Sequence, residues 1–316
     1  MKQLSEPLRE GIVDAYAPRD VASATPPDRG DPPHRDRTAL LWSNDRRPQH
    51  RPREFALSAS ITPVRVGDVT VGDGTPTVIV PLTGRTPDTL REQVDALAGR
   101  RIDIVEWRVD FFEDLTGPTG VDAAVAQARL LAEQLGDTPL LATVRTAHEG
   151  GELDVDGTTY SDLNCALVRS GAIGLVDVEF LRAPDAVREI IATAHRHDVA
   201  VIASNHDFDA TPPRDEIVAR LRAMQELGAD ICKIAVMPQS TKDVLTLLDA
   251  TRVMHEEHAD RPIITMSMGG LGVISRIAGQ VFGSAATFGM VGAASAPGQV
   301  DAGELRAVLD LLDRAR

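Results

Sequence analysis

The segment Ile231-Cys232-Lys233-Ile234-Ala235-Val236 decides the fold class of this chain. It is short, almost wholly apolar and rich in strand-favouring residues, which is typical of a parallel strand buried on both faces. Amphipathic stretches, with capping residues such as Thr86 and Gly99 at their ends, separate it from similar segments. Those segments are TVIVPLT (77–83), IDIVEWR (102–108), LLATVR (140–145), LVDVEF (175–180), AVIASN (200–205), IITMSM (263–268) and AATFG (285–289).

This alternation predicts an α/β fold of the (β/α)8 TIM-barrel type. Eight strand–helix units over roughly 250 residues match the usual size of such a barrel. A doubly wound sheet would also alternate, but it usually has fewer strands, and no GxGxxG fingerprint follows the first strand here. Upstream of the first unit, VRVGDVTVGDG (64–74) alternates around Gly-Asp and predicts a β-hairpin.

Residues 1–60 differ in composition from the rest of the chain. The stretches ATPPDRGDPPHRDR (24–37) and NDRRPQHRPREF (44–55) are dense in Pro, Arg and Asp and lack a sustained apolar period. Such a segment cannot bury enough apolar surface to fold alone, so we expect a disordered extension over 1–60 and a catalytic barrel over 61–316. A mis-assigned start codon and an Arg-rich interaction arm are the alternatives for the extension.

Composition narrows the partners and the compartment. The net charge of −14 argues against nucleic acid or an anionic membrane as the main partner. The apolar runs are too short for a membrane span, and the N-terminus lacks the apolar core of a signal peptide. Cys165 and Cys232 have neither metal-ligand spacing nor a disulfide framework, so we expect a cytoplasmic protein without a metal.

Lys233 is the residue that most directly indicates chemistry. Only Lys2, Lys233 and Lys242 are lysines among 33 basic residues, yet one of them lies inside the buried segment 231–236. Removing water from an ammonium group favours its neutral amine form, which is a nucleophile, whereas an arginine keeps its proton. A lysine on a core strand therefore suggests Schiff-base chemistry. The alternative is a lysine whose stem packs in the core while its ammonium reaches the strand end.

Polar residues follow most of the predicted strands, and the C-terminal ends of barrel strands form the active site. His206 follows the fifth strand and is suited to take and return a proton, with a carboxylate such as Glu149 to orient its ring. The remaining candidates at these ends include three arginines suited to a substrate carboxylate, Arg108, Arg145 and Arg276, and the loop residues Ser295 and Gln299.

Several of these residues also have a structural interpretation. Glu106, Arg108, Asp177 and Glu179 could form a buried ion network inside the barrel instead of contacting a substrate. Cys232 should point away from Lys233, because neighbouring residues on a strand face opposite sides. The glycines of SMGGLG (267–272) could cradle a phosphate or only serve a backbone turn.

Taken together, these segments resemble the type I 3-dehydroquinate dehydratases, the Schiff-base dehydratases of the shikimate pathway. The resemblance covers about residue 62 to the C-terminus, and its combined motifs are highly specific. The segments that carry it are EWRVD (106–110), VRTAHEGGE (144–152), SNHDF (204–208), ICKIAVMP (231–238), GVISRIAGQVFGSAATFG (272–289) and SAPGQ (295–299).

The resemblance implies a (β/α)8 barrel closed by the N-terminal hairpin, a homodimer, and an enzyme without metal or organic cofactor. It implies that Lys233 forms an imine with the C3 ketone of 3-dehydroquinate. His206, supported by Glu149, would move the protons of a syn elimination that gives 3-dehydroshikimate. The resemblance assigns Glu106, Arg108 and Arg145 to the ring hydroxyls and the network below them, Arg276 to the carboxylate, and Ser295 and Gln299 to a closing loop.

The chain departs from the family pattern at one point near the predicted site. Many members have Ala-Lys after the Ser-Met of the seventh strand, whereas Gly269 and Gly270 follow Met268 here. Two other functions use the same features: a class I aldolase or transaldolase on a sugar phosphate, and a non-catalytic metabolite sensor. A sensor would be expected to have lost catalytic groups, and none of the motif residues assigned to catalysis is replaced.

Overall fold

The computed structural model describes residues 61–115, 117, 119–292 and 294–315. The extension predicted over 1–60 lies outside the described residues, so it and its boundary with the barrel stay predictions. The described chain begins with a short antiparallel hairpin, β1 (Val64–Val66) and β2 (Val69–Val71), as the Gly-Asp pattern predicted.

Eight parallel strands follow the hairpin and pair in chain order. They are β3 (Thr77–Leu82), β4 (Ile104–Arg108), β5 (Leu140–Thr143), β6 (Leu175–Glu179), β7 (Ala200–Asp207), β8 (Ile231–Val236), β9 (Ile263–Ser267) and β10 (Ala286–Met290). A two-residue strand, β11 (Val300–Asp301), adds to the end of β10.

The helices lie between these strands. They are α1 (Pro87–Asp95), α2 (Gly120–Leu135), α3 (Gly157–Arg169), α4 (Pro184–Arg196), α5 (Arg214–Glu226), α6 (Thr241–Val253), α7 (Val273–Ala278) and α8 (Ala302–Arg314). Helix α1 begins after Thr86, whose side chain caps it, but it ends at Asp95. The predicted stop at Gly99 instead lies in the following turn, with a φ of 75°.

The sheet closes into a barrel, which confirms the predicted fold class. Strand β3 pairs with β4 on one side and with β10 on the other. The remaining gap is bridged where Ile263 at the start of β9 pairs with Ser284 just before β10, and Ala285 N donates to Ile263 O at 2.8 Å. Within the described ranges, no helix has both the length and the apolar content needed to cross a membrane.

The interior of the barrel is layered, and the layering positions the functional residues. Inward-facing side chains near the strand starts are apolar: Ile79, Ile104, Leu141, Leu175, Ile202, Ile231, Ile264 and Ala286. Val66 and Val71 of the hairpin belong to the same buried cluster, so the hairpin closes this end. Two residues further along most strands, the inward-facing side chains become polar. The polar half is therefore the end at which the strands finish.

Residues on the outward faces of the strands pack against the helices. Cys232 is buried with Leu221 and Met224 of α5, outside the barrel, whereas its neighbours Ile231 and Lys233 face the interior. This arrangement confirms the prediction that Cys232 points away from Lys233. Burial also raises the pKa of the Cys232 thiol to about 12, so this group is a packed core residue and not a nucleophile.

Candidate active site

Lys233 lies in the polar half of the barrel interior and is 3% exposed. Its Nζ donates to Asp177 Oδ2 at 2.9 Å and lies 4.6 Å from the centroid of the Phe288 ring. The residue types had indicated a lysine whose charged form is disfavoured by burial. The structure instead supplies a carboxylate and an aromatic face, both of which stabilise a cation at Nζ.

Asp177 connects Lys233 to the centre of a buried ion network. Its other oxygen, Oδ1, accepts from Arg145 Nη2 and from Ser204 Oγ, each at 2.6 Å. Burial acts to raise the pKa of Asp177, but the positive charges of Arg145 and Lys233 outweigh it and hold the pKa well below the ordinary 3.8. Asp177 is therefore an anion at all working pH values.

Arg145 is the cation shared by this network. Its Nη1 lies 3.2 Å from Glu179 Oε1, 3.5 Å from Glu149 Oε2 and 3.1 Å from Ser204 Oγ. Burial opposes its charge, but the three neighbouring carboxylates keep its pKa well above the ordinary 12.5. Because its N–H groups are directed to protein oxygens, Arg145 is suited to hold the network beneath a substrate. The family resemblance assigned this role to Arg145, whereas its residue type also suited it to a substrate carboxylate.

His206 and Glu149 form a close pair at the mouth of the barrel. His206 Nδ1 lies 2.9 Å from Glu149 Oε2, and the backbone N–H of His206 donates to the same oxygen at 3.1 Å. Glu149 reaches this position from a 3-10 turn, Ala147–Glu149, that follows β5. Asn205 Nδ2 donates to its second oxygen, Oε1, at 3.1 Å.

Burial dominates the proton affinities of this pair. Burial raises the pKa of Glu149 from 4.5 to about 8, although the nearby Arg145 guanidinium opposes the shift. Burial, together with the positive charges of Arg145 and Lys233, lowers the pKa of His206 well below 6.5. The imidazole is therefore neutral at working pH, as a general base must be before it accepts a proton.

Glu106 and Arg108 lie on the interior face of β4 but make separate contacts. Glu106 Oε1 accepts from Thr143 Oγ1 at 2.8 Å. Arg108 forms a bidentate pair with Asp110, at 2.7 and 2.6 Å, and lies over the Phe111 ring at 4.8 Å. Asp177 and Glu179 therefore belong to the buried ion network around Arg145. Glu106 and Arg108 do not belong to this network.

Arg276, on helix α7, is 2% exposed and has no ion-pair carboxylate within the described ranges. Its Nη2 donates to Pro297 O at 3.1 Å, and its Nη1 contacts Met266 Sδ at 3.6 Å. Its Nε has no hydrogen-bond partner among the described residues. Burial without an anion lowers its pKa to about 10. A buried guanidinium in this state favours binding of an anionic group.

Ser295 and Gln299 hydrogen-bond to each other within the loop after β10. Ser295 N donates to Gln299 Oε1 at 2.7 Å, and Gln299 Nε2 donates back to Ser295 Oγ at 3.0 Å. The same loop contacts the turn after β9, because Gly269 N donates to Pro297 O at 3.2 Å. The loop is therefore connected both to Arg276 and to the turn that departs from the family pattern.

The glycines of that turn are used by the backbone. A Cβ on Gly272 would lie 2.1 Å from Ser267 O, and Gly269 adopts a φ of 68°, which favours glycine. These observations favour the turn interpretation of SMGGLG over a phosphate cradle. In the part of the chain that the structure describes, no cluster of three His, Cys, Asp or Glu side chains is arranged to hold a metal.

Comparison with known proteins gives the family. The family model described as "Type I 3-dehydroquinase" matches residues 78–316. The chain belongs to the type I 3-dehydroquinase family. A 3-dehydroquinate dehydratase of Listeria welshimeri is 54% identical over 251 residues, which are 79% of this chain and 98% of the relative. One from Escherichia coli is 52% identical over 254 residues, 80% of this chain and 99% of the relative.

Solved structures of the family agree in fold. The type I 3-dehydroquinate dehydratase of Clostridium difficile, solved with covalently modified comenic acid, is 46% identical with a TM-score of 0.76, over 81% of this chain and 99% of that one. The enzyme from Geobacillus kaustophilus is 34% identical with a TM-score of 0.77, over 82% and 99%. This type I 3-dehydroquinase therefore shares its fold with these proteins over about four-fifths of the chain.

Four residues of the site were not given their roles by sequence reasoning. Asp177 pairs with Lys233, Phe288 lies against Nζ, Asp110 holds Arg108, and Asn205 holds Glu149. A signal existed for Asp177, because LVDVEF places charges at alternate positions of a buried strand, so both face the interior. The other three depend on loop and side-chain directions that the motif spacing does not contain.

Proposed function

We propose that this chain is a 3-dehydroquinate dehydratase, a hydro-lyase that eliminates water from 3-dehydroquinate through a Schiff base on Lys233. The observation that carries the proposal is the position of Lys233. It is a buried amine on the inner face of β8, and the neighbouring strand β7 carries His206, the partner of Glu149. Membership of the type I 3-dehydroquinase family supplies the substrate.

The reaction begins at the Lys233 amine. After losing its proton, Nζ attacks the C3 carbonyl carbon, and the resulting carbinolamine loses water to leave an iminium ion. The positive charge stays at the nitrogen, so Asp177 Oδ2 can pair with the iminium as it pairs with the ammonium in this structure. The iminium withdraws electrons from C2 and acidifies its hydrogen.

His206 then moves the proton. When Nδ1 carries the ring proton, it donates to Glu149 Oε2 and leaves Nε2 to accept the C2 proton. Loss of that proton converts the iminium into an enamine. The same imidazolium returns a proton to the departing C1 hydroxyl, so that one water leaves as the C1–C2 double bond forms and the iminium is restored. Water finally hydrolyses the iminium to release 3-dehydroshikimate and the free amine.

The remaining site residues bind and enclose the ring. Arg276 is a buried cation without a carboxylate of its own, and it would take the substrate carboxylate. Glu106 and Arg108 would contact ring hydroxyls, while Arg145 would hold Asp177 and Glu149 in place below them. Ser295 and Gln299 would close over the ring through the loop already attached to Arg276.

Borohydride reduction in the presence of 3-dehydroquinate tests the imine, followed by peptide mass mapping. We expect a stable adduct on Lys233 together with enone absorbance in unreduced samples. Lys233→Met should remove both, whereas Lys242→Met, an exposed lysine on α6, should change neither. Folded protein that binds substrate but gives no adduct on Lys233 would refute the Schiff base.

Two further properties belong to this proposal. We expect a homodimer from the family resemblance, and a cytoplasmic location from two cysteines that are buried and unpaired. Light scattering on the purified chain tests the first property, and a monomer at working concentration would contradict it. All site residues described above come from a single chain, so the proposed chemistry does not require the dimer.

A further inference from the structure

A hydrogen-bonded chain extends from the outer helix α5 to the His206–Glu149 pair. Arg220 Nη1 donates to Asn205 Oδ1 at 2.8 Å, and Asn205 Nδ2 donates to Glu149 Oε1 at 3.1 Å. Asn205 is 3% exposed, and the Arg220 side chain is 12% exposed. The mechanism proposed above does not use Arg220, which lies outside the barrel wall.

Arg220 determines which way the Asn205 amide faces. A guanidinium has donors but no acceptor, so it can only hydrogen-bond the oxygen of the amide. With Oδ1 committed to Arg220, the NH2 group faces the Glu149 carboxylate. Arg220 is itself held by an ion pair with Glu216, one helical turn earlier on α5. A flipped amide would instead direct its oxygen at the Glu149 carboxylate, and both groups would lose a partner.

We propose that Arg220 is a positioning residue for the dehydration: it fixes the Asn205 amide as a donor to Glu149, and thereby keeps Glu149 ionised and His206 in its reactive tautomer. The inference rests on the proposed function, because it assigns no chemistry of its own to Arg220. It extends the site by one layer, from the residues at the mouth to the helix packed behind them.

The tautomer argument follows from the contacts of Glu149. Its Oε2 faces His206 Nδ1, so an ionised Glu149 accepts the Nδ1 proton and leaves Nε2 free as a base. A protonated Glu149 would donate to Nδ1 and force the proton onto Nε2, where the imidazole could no longer accept one. The ionisation of Glu149 therefore controls the base.

Glu149 is balanced closely enough for one donor to matter. The charged groups facing it are Arg145 from the segment after β5, Asp177 and Glu179 from β6, and His206 from β7. Burial raises its pKa to about 8, Arg145 opposes this, the two carboxylates add to it, and the Asn205 hydrogen bond lowers it. Losing the Asn205 donor would raise the pKa of Glu149 further.

The test is the pH profile of kcat/KM for Arg220→Met in the full chain, with 3-dehydroquinate as substrate. We expect the acid limb to move to higher pH by about one unit, the size of one hydrogen bond to a carboxylate. At pH values below the limb, kcat/KM of the variant should be about tenfold lower than that of wild type, and on the alkaline plateau the two should be nearly equal. The acid limb of Arg220→Lys should lie close to that of wild type, because an ammonium also donates to the amide oxygen.

A matched control separates positioning from helix stability. Arg222→Met removes an arginine from the same helix, two residues on and therefore on another face, and should leave the limb in place. Asn205→Ala should shift the limb as Arg220→Met does, and the double variant should shift it no further, because both act through one hydrogen bond. If Arg220→Met does not fold, Asn205→Asp replaces it as the test. This variant keeps an oxygen for Arg220 but removes the NH2 group that donates to Glu149. It should move the limb further in the same direction.

Two results would overturn the inference. One is an Arg220→Met profile lowered equally at every pH, which is the effect expected of a structural residue. The other is additive shifts in the double variant. Neither result resembles failure of the proposed function, in which the wild-type protein itself would give no imine adduct and no enone.

Discussion

Lys233 Nζ is paired across the barrel interior with Asp177 Oδ2, 2.9 Å away, although their strands β8 and β6 are not neighbours. Strand β7 lies between them, and its Ser204 donates to the other oxygen of the same carboxylate. Both charged side chains are at most 4% exposed. The pair fixes the position of the amine and gives a cation at Nζ, whether ammonium or iminium, a permanent counter-ion.

Replacing Asp177 with Asn should destabilise the fold strongly. Arg145 and Lys233 would both lose their shared anion inside the barrel, and breaking a buried ion pair in this way costs about 3–5 kcal/mol. Urea unfolding at pH 7 measures the change. Asp185→Asn is the matched control, since its partner Arg188 is exposed and the pair should contribute about 1 kcal/mol or less.

The loss should depend on pH with a definite sign. The folded-state pKa of Asp177 is below its unfolded value, so its contribution is complete above pH 3.8 and is lost as the pH falls toward the folded-state pKa. The stability difference between wild type and Asp177→Asn should therefore shrink in acid. A difference that stays constant as the pH falls below 3.8 would contradict this account of the pair.

His206→Gln should separate imine formation from proton transfer. Without the imidazole, the C2 proton has no positioned acceptor, so kcat should fall by about 10²–10⁴-fold. Lys233 keeps its amine and its partner Asp177, so borohydride should still trap the adduct on Lys233, although more slowly. His195→Gln, at a half-exposed position on α4, is the control and should leave both readouts unchanged. Near-normal turnover in His206→Gln would remove this residue from the mechanism.

The strand pattern predicted the opposite orientation of Lys233 and Cys232, for a physical reason. A strand has a strict two-residue period, so the positions of Lys233 and Cys232 on opposite faces followed once 231–236 was read as a strand. The polar residues at the strand ends were predicted to converge, and the structure brings Lys233, His206 and Glu149 to one end of the barrel. Those site roles stay predictions until the chemistry is measured.

Partner choice inside the barrel could not be predicted in the same way. By residue type alone, Arg145 is as suited to a substrate carboxylate as Arg276, because both are arginines after a strand. Their difference arises from neighbours distant in sequence: Arg145 meets Asp177 and Glu179, whereas Arg276 meets Met266 and a carbonyl oxygen. No local pattern contains that information.

The activity should depend on the ionisation of Glu149. Its pKa is raised by burial from 4.5 to about 8, and only the carboxylate form holds His206 in the reactive tautomer. We therefore expect kcat/KM to rise with pH through the neutral to mildly alkaline range, well above the range of an ordinary glutamate. In Glu149→Gln, kcat/KM should be low and should no longer rise over this pH range. A limb that is identical in Glu149→Gln would assign the titration to another group.

Arg276→Met should weaken substrate binding more than it slows the chemistry. The guanidinium is buried and pairs with no carboxylate in the described part of the chain, so its removal deletes the charge-assisted hydrogen bonds expected with the substrate carboxylate. Those bonds are worth about 3 kcal/mol, which corresponds to an increase in KM of about 10²-fold. Arg252→Met, on the half-exposed face of α6, should leave KM unchanged. A fall in kcat with unchanged KM would place Arg276 in the chemical step instead.

Deleting residues 1–60 should leave kcat/KM and Tm nearly unchanged. The relatives from Listeria and Escherichia coli are covered to 98% and 99% by alignments that span only 79% and 80% of this chain, so the catalytic unit of the family is shorter than this chain. The predicted lack of a folded core in 1–60 leads to the same expectation. Thermal melting and steady-state kinetics on the shortened chain measure both quantities.

Extending the deletion through residue 74 should have the opposite outcome. It removes the hairpin β1–β2, and with it Val66 and Val71, which are 6% and 1% exposed against the apolar end of the barrel. Each buried valine contributes about 1.5–3 kcal/mol, so Tm should fall by several degrees or the barrel should fail to fold. If the shorter deletion already lowers Tm to the same extent, residues 1–60 contribute to the fold, and the predicted boundary at residue 60 is wrong.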